Sequence, residues 1–269
     1  MFDLTAYLYG LGAILVAGIL TWAISVWRRD VSIVDTLWSL MFLLAALVYF
    51  AATPSEGVRA GLVLLLVAIW ALRLAGYITW RNWGEGEDRR YQAIRARNEP
   101  NFAVKSLYLV FALQGVIAWI VSLPLLAAIA GGGPLGVWAY LGIGLWLVGM
   151  VFEAGGDWQL ARFKTDPQNR GQVLDTGLWR YTRHPNYFGN ACVWWGFFFI
   201  ALDAGGWWAV ISPILMTFLL LKVSGVVLLE QDIGERRPAY ADYVRRTNAF
   251  LPGPPRAPRG EAAQPGVKS

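Results

Sequence analysis

The densest run of residues able to do chemistry is GDWQLARFKTDPQNRGQVLDTGLWRYTRHPNYFGN, residues 156 to 190. Within it, Pro185 suits the first position of a helix, where its missing N–H costs nothing. Asn186, Tyr187 and the amides that follow then form a helix N-terminus, which attracts anions and above all phosphate. Arg162, Lys164, Arg180 and Arg183 lie around it and can neutralise phosphates, while Trp179, Tyr181 and Tyr187 can stack on a flat ring. Asn186 and Asn190 fall one turn apart as an amide pair suited to a carboxamide or a ribose. This pattern favours a nucleotide-type cofactor over the plainer alternative, an interfacial belt of aromatic and basic residues around a well-capped helix.

No GxGxxG or GxxxxGK[ST] occurs in a strand-to-helix setting, so a dinucleotide would have to bind among helix ends and loops. The stretch EQDIGERRPAYADYVRRTNAFLPG adds Glu230, Arg236, Arg237, Tyr240, Tyr243, Arg245 and Arg246 beside the same surface, in the manner of a lid. One histidine, His184, and one cysteine, Cys192, exclude a His or Cys metal cluster and an intrachain disulfide. Cys192 lies in an apolar helix and reads as a small buried hydrophobe.

The elements that must position these groups follow from composition. With 57% hydrophobic and 15% charged residues, the chain falls well below the roughly 25% charge of soluble domains. Stretches long enough to cross a hydrocarbon core, which takes about 20 helical residues, run over 4–27, 33–52, 57–80, 104–129, 134–161, 185–204 and 206–229. Backbone groups in lipid must be satisfied internally, so the expectation is an all-α polytopic membrane protein: one domain of seven transmembrane helices over 1–251, followed by a disordered tail from Pro252. The N-terminus lacks a cationic start and an A-x-A-like end, so the first helix reads as retained.

Twenty of the 23 Lys and Arg residues fall in loops on one side or in the C-terminal tail, which predicts the N-terminus outside and the C-terminus cytoplasmic. The net charge of +5 therefore marks topology, and anionic lipid contact with it, rather than nucleic-acid binding.

Ionisable residues inside spans ask for a partner or a purpose. Asp35 lies a turn inside the second span. Arg73, Tyr77 and Arg81 share one face of the third with Trp70; Glu153 and Asp157 share a face of the fifth that continues to Lys164; Lys222 and Glu230 share a face of the seventh. Mutual pairing, for instance Asp35 with Arg73, would fix helix register. A polar cavity open to the cytoplasm accounts for the whole set.

RYTRHPNYFGN resembles an element of the superfamily of steroid 5-alpha-reductases, sterol reductases and isoprenylcysteine carboxyl methyltransferases. GDWQLARFK and the spacing through TDPQNRG to GLWRYTRHPNY are similar to the reductase branch and its bacterial membrane relatives with a steroid-reductase-like C-terminal domain. The likeness is specific over 150–252 and weaker over 1–105. It implies a monomeric enzyme of a bacterial inner membrane that binds NADPH on the cytoplasmic side and takes a lipid-like enone, best a 3-oxo-Δ4 steroid, from the bilayer. Hydride would go to the beta carbon of the conjugated alkene while an acid polarises the ketone.

By the same resemblance Asp157, Lys164, Tyr181, Asn186 and Tyr187 bind cofactor and Arg180 and Arg183 contact phosphate, with Arg162, His184, Asn190, Glu230, Arg237, Tyr240 and Tyr243 completing the site. Glu153 and Asn190 stand where steroid reductases carry Asn and Glu respectively. Asp35 matches the carboxylate of the second helix, Trp70 takes the place of a proton-donating Tyr, and Tyr77 is the nearest phenol; Asp35, Arg73 and Tyr77 are thus the expected catalytic set. Trp38, Trp70 and Glu153 are expected to meet substrate. The competing readings are an S-adenosylmethionine-dependent methyltransferase of a lipid or prenylated thiol and a non-enzymatic sterol or lipid binder.

Overall fold

In the computed structural model, which describes residues 2–54, 57–223 and 238–256, every regular element is helical. Five helices are long and apolar enough to cross a membrane: α1 (Leu4–Arg28), α2 (Ile33–Ala52), α3 (Val58–Asn82), α5 (Phe102–Val121) and α7 (Val137–Thr165). Between them lie two short helices, α4 (Arg89–Asn98) and α6 (Leu123–Ala130). The chain continues through α8 (Pro185–Asp203), α9 (Trp207–Val223) and α10 (Pro238–Arg246). The chain thus has the character of a polytopic membrane protein. Of the two remaining expected spans, α8 is diluted by the polar residues of its first turns, Asn186 and Asn190, and the end of the seventh lies outside the described residues.

Local chemistry explains the boundaries. Asp3 caps α1 by accepting the Ala6 amide at 2.9 Å, and Arg29 closes it in the left-handed region with φ 54°. Pro124 has no N–H to continue α5, so the helix breaks at Ser122. The Ser122 hydroxyl donates to the Trp119 carbonyl and meets the Tyr49 phenol, each at 2.7 Å, which satisfies polar groups at the break.

The chain divides into two compact units, Met1–Leu147 with Cys192–Met216, and Val148–Ala191 with Thr217–Ser269. In the first, α2 packs between α1 and α3 around a fully buried aromatic core. Phe42 lies 5.7 Å from Trp70 and 4.5 Å from Trp194, ring centre to ring centre. At one end of this unit Arg59, 2% exposed, donates to the carbonyls of Gly131, Gly132 and Pro134 and pairs with Asp203 at 2.9 Å. Asp203 also accepts the Gly136 amide at 2.8 Å, so one ion pair ties three connections together.

In the second unit, Phe188 packs on Phe152 at 5.0 Å and on Phe250 at 6.0 Å. Beyond Leu251 the chain is held to the rest of this unit by its backbone: the Gly253 amide donates to the Tyr181 carbonyl at 3.0 Å and the Arg256 amide to the Arg246 carbonyl at 2.8 Å. These two bonds fasten the first residues of the stretch expected to be a tail, and 257–269 lie outside the described residues.

Candidate functional site

In the second unit the acids of α7 and the amides of α8 form two rungs. Glu153 and Asp157, 2% and 5% exposed, stand one turn apart on α7. Asn190 Nδ2 donates to Glu153 Oε1 at 3.3 Å, and Asn186 Nδ2 donates to Asp157 Oδ1 at 3.2 Å. The close approach depends on glycine: a Cβ at Gly189 would overlap the Glu153 backbone nitrogen and the Gly149 carbonyl, and one at Gly156 would lie 3.0 Å from Pro185. Two carboxylates in this setting are costly unless paired. The amides supply part of that pairing, and Asn190 Oδ1 is left as a buried acceptor without a partner among the described residues.

The start of α8 is as the sequence predicts, with Pro185 first. The Asn186 side-chain oxygen accepts the Tyr187 amide at 3.1 Å, which occupies one of the free helix-end donors. The His184 ring stacks on Tyr187, centres 5.5 Å apart and planes 7° from parallel. Tyr181 and Arg180 are exposed in the loop that leads to it.

Arg183 is tied to the segment 238–256. It is 8% exposed, and its guanidinium donates to the carbonyls of Val244 and Thr247, the latter at 2.5 Å. It therefore satisfies the open C-terminal carbonyls of α10, where a cation is favoured. Tyr243, 2% exposed, donates to the Trp179 carbonyl at 2.5 Å, and Tyr240 packs edge-on against it at 5.6 Å. Arg183 and Tyr243, with Thr182 donating to the Phe250 carbonyl at 2.9 Å, fasten the segment 238–256 to the RYTRHP loop. Glu230 and Arg237 lie outside the described residues.

Arg162 also separates from the group. On α7, Trp158, Gln159, Arg162 and Phe163 lie about 100–240° round the axis from Asp157, whereas Glu153 and Lys164 flank Asp157 within about 40°. Arg162 sits over the Trp158 ring at 5.6 Å, on the other side of the helix from the acid–amide rungs.

In the first unit Asp35 is brought to two partners from α4. Its Oδ2 accepts Arg90 at 2.8 Å and its Oδ1 accepts the Tyr91 hydroxyl at 2.6 Å. Gln114 donates to the same phenol at 3.2 Å, and Arg90 also bonds Asp88 at 3.0 Å. Arg90 and Tyr91 are thus the hydrogen-bond partners of Asp35; the Tyr77 ring lies under Arg81 at 5.9 Å. Burial first and the Asp35 charge second push the Tyr91 phenol far above its usual range, so it keeps its proton. Burial opposes the charge on Arg90, but Asp88 and Asp35 outweigh it and hold the guanidinium above its ordinary value.

Tyr91 is the residue the sequence reading passed over. Its signal was present: Asp88 as an N-cap ahead of RRYQAIRA, with Tyr91 and Ile94 three apart. Asp88 does accept the Arg90 amide at 2.8 Å, and Tyr91 enters a core with Val31, Val34, Phe102, Val110 and Phe111. Trp70 is fully buried, its ring edge-on to Trp194 at 5.5 Å, so it is core rather than an open wall; Trp38 packs on Phe42 at 5.2 Å and remains partly exposed.

A profile of the family described as "Protein of unknown function (DUF1295)" matches residues 21–247. An uncharacterized protein of Schizosaccharomyces pombe is 24% identical over 286 aligned positions, covering 93% of this chain and 81% of the relative. No solved structure matches the chain.

Proposed function

The chain belongs to the DUF1295 family, and we propose that it is an NADPH-dependent reductase of the conjugated C=C bond of a lipophilic enone, of the steroid 5-alpha-reductase kind, with a 3-oxo-Δ4 steroid the favoured substrate. The proposal includes seven spans, the N-terminus outside, and the cofactor side facing the cytoplasm of a bacterial inner membrane.

The observation that carries the reading is the pair of buried acid–amide rungs at the start of α8. Asn190 Oδ1, an acceptor without a partner among the described residues, fits the N–H of a carboxamide; Glu153 and Asp157 fit hydroxyl and amide donors; Tyr187, backed by His184, fits a flat ring. Together they match a nicotinamide nucleotide's donor pattern. Lys164 and Arg180 are assigned to the phosphates. NADPH, when bound, supplies a hydride.

The remaining chemistry belongs to the chain. Asp35, bonded to both an arginine and a phenol, is the group that orients, and Tyr91 is the group that retains a proton. In this reading the Tyr91 hydroxyl, which donates its one O–H to Asp35 in this structure, turns that O–H from Asp35 to the substrate carbonyl as negative charge grows on it, a stabilisation typically worth a few kcal/mol of barrier.

Thermal unfolding of the purified full chain with NADPH, NADH and S-adenosylmethionine tests the reading. A ligand at a hundred times its dissociation constant adds about 2.7 kcal/mol, and NADPH is expected to give the largest shift. Stabilisation by S-adenosylmethionine without any by NADPH would make the protein a methyltransferase instead.

A further inference from the structure

The groove on the far side of α7 belongs to neither the rungs nor the Asp35 cluster. It encloses about 420 Å³ between the last turns of α7 and the segment that follows, with walls from Trp158, Arg162, Phe163, Asp166, Asn169 and Thr176. That volume lies within the range of small-molecule sites, about 300–1,000 Å³.

Depth and charge narrow what would fill it. α7 begins at Val137, and about 20 residues cross the hydrocarbon, so Trp158 and Arg162 emerge at the level of the lipid headgroups. Trp158 is 60% exposed there, as aromatic residues at that depth commonly are. Among the described residues the groove's charged walls are one cation and one anion, Arg162 and Asp166, and no ion pair joins them. Arg162 is instead held against the indole face. Asp166 engages one oxygen with the Gln168 amide at 2.9 Å, and its second oxygen has no hydrogen bond among the described residues.

We propose that this groove binds the headgroup of a phospholipid carrying both a phosphate and a primary ammonium. Arg162 takes the phosphate through charge-assisted hydrogen bonds, and Asp166 takes the ammonium. Phe163 and Trp158 cover the glycerol end, with the acyl chains running down the apolar surface of α7. A purely anionic headgroup leaves Asp166 opposed to negative charge, and a quaternary ammonium has no N–H for it. Soluble phosphoethanolamine has the same head chemistry but lacks the chains that hold it at this depth.

The test uses the delipidated full chain in detergent, with phosphatidylethanolamine, phosphatidylcholine and phosphatidylglycerol of identical acyl chains, and soluble phosphoethanolamine as a fourth arm. Retained lipid is read by native mass spectrometry and the melting temperature in parallel. Phosphatidylethanolamine is expected to be retained at least about fivefold more than the other two, and the soluble headgroup to have no effect; a factor of five corresponds to roughly 1 kcal/mol. Arg162→Gln should lower retention of all three lipids, whereas Asp166→Asn, which keeps the acceptor for Gln168, should abolish only the preference. Equal retention of the three headgroups, retention unchanged in both variants, or equal stabilisation by soluble phosphoethanolamine would each overturn the proposal.

Discussion

Asp35 sits in the first turn of α2, where the positive end of the helix favours a carboxylate, and both its oxygens are engaged by Arg90 and Tyr91. Removing the phenol oxygen takes away a hydrogen bond to a charged group, worth about 1.5–3 kcal/mol. Tyr91→Phe should therefore lower the melting temperature. If the phenol is the acid, it should also reduce enone turnover by about 10²-fold or more, with the shift produced by NADPH intact. Turnover at the wild-type rate in Tyr91→Phe would return the pair to a purely structural role.

Glu87 offers a pH test at the same scale. Burial alone would raise its carboxyl, but Arg95 at 2.7 Å and the Val31 amide at 3.0 Å outweigh it and hold the group below its usual range. Its stabilising contribution is complete above the ordinary glutamate pKa of about 4.3 and is lost as pH falls through the lower folded value. Melting curves from about pH 7 down to about pH 3 should show a steeper acid loss in the wild type than in Glu87→Gln.

Among the elements, α7 and α8 show what periodicity could and could not reveal. Helical spacing alone placed Glu153 with Asp157 and Asn186 with Asn190, and the structure joins them in rungs. The same spacing carried a second message in Gly142, Gly149 and Gly156, seven residues apart. In the first unit Gly142 and Gly196 face each other's carbonyls, where a Cβ would come within 2.6 and 2.7 Å; in the second, Gly189 seats against Glu153. Small residues at such seams let helix backbones approach in lipid. Gly189→Ala, which must push α8 off the Glu153 turn, should destabilise by about 1–3 kcal/mol and remove the melting shift with NADPH, whereas Gly144→Ala, with open space around it, should do neither.

At the scale of the whole molecule, the helical membrane character was legible because apolar runs and loop cations are imposed by the bilayer itself. Long-range pairing was not. Arg90 and Tyr91 lie in a polar stretch whose basic residues the expected topology would account for, and only the folding of α4 brings them to Asp35, 55 and 56 residues away in sequence. Arg183 reads in the sequence as a phosphate contact because it lies just ahead of a helix N-terminus, and its bonds to the end of α10, 61 and 64 residues further on, carried no sequence signal. Arg59 gave no signal beyond being a lone cation among the short, weakly charged loops, and it proves to be a buried staple with Asp203. Breaking such a pair by removing one partner typically costs about 3–5 kcal/mol, so Arg59→Ala should unfold at markedly lower temperature in detergent, without altering which nucleotide stabilises the chain.

The central claim is hydride transfer to an enone, and isotope labelling tests it most directly. The full chain in lipid nanodiscs would be supplied with NADPH carrying deuterium at both hydrogen positions of the transferring carbon of the nicotinamide and with a 3-oxo-Δ4 steroid. The account predicts one deuterium at the beta carbon of the saturated ketone for each NADPH oxidised. Label-free saturated product, or no NADPH oxidation by a chain that NADPH fails to stabilise, would contradict it.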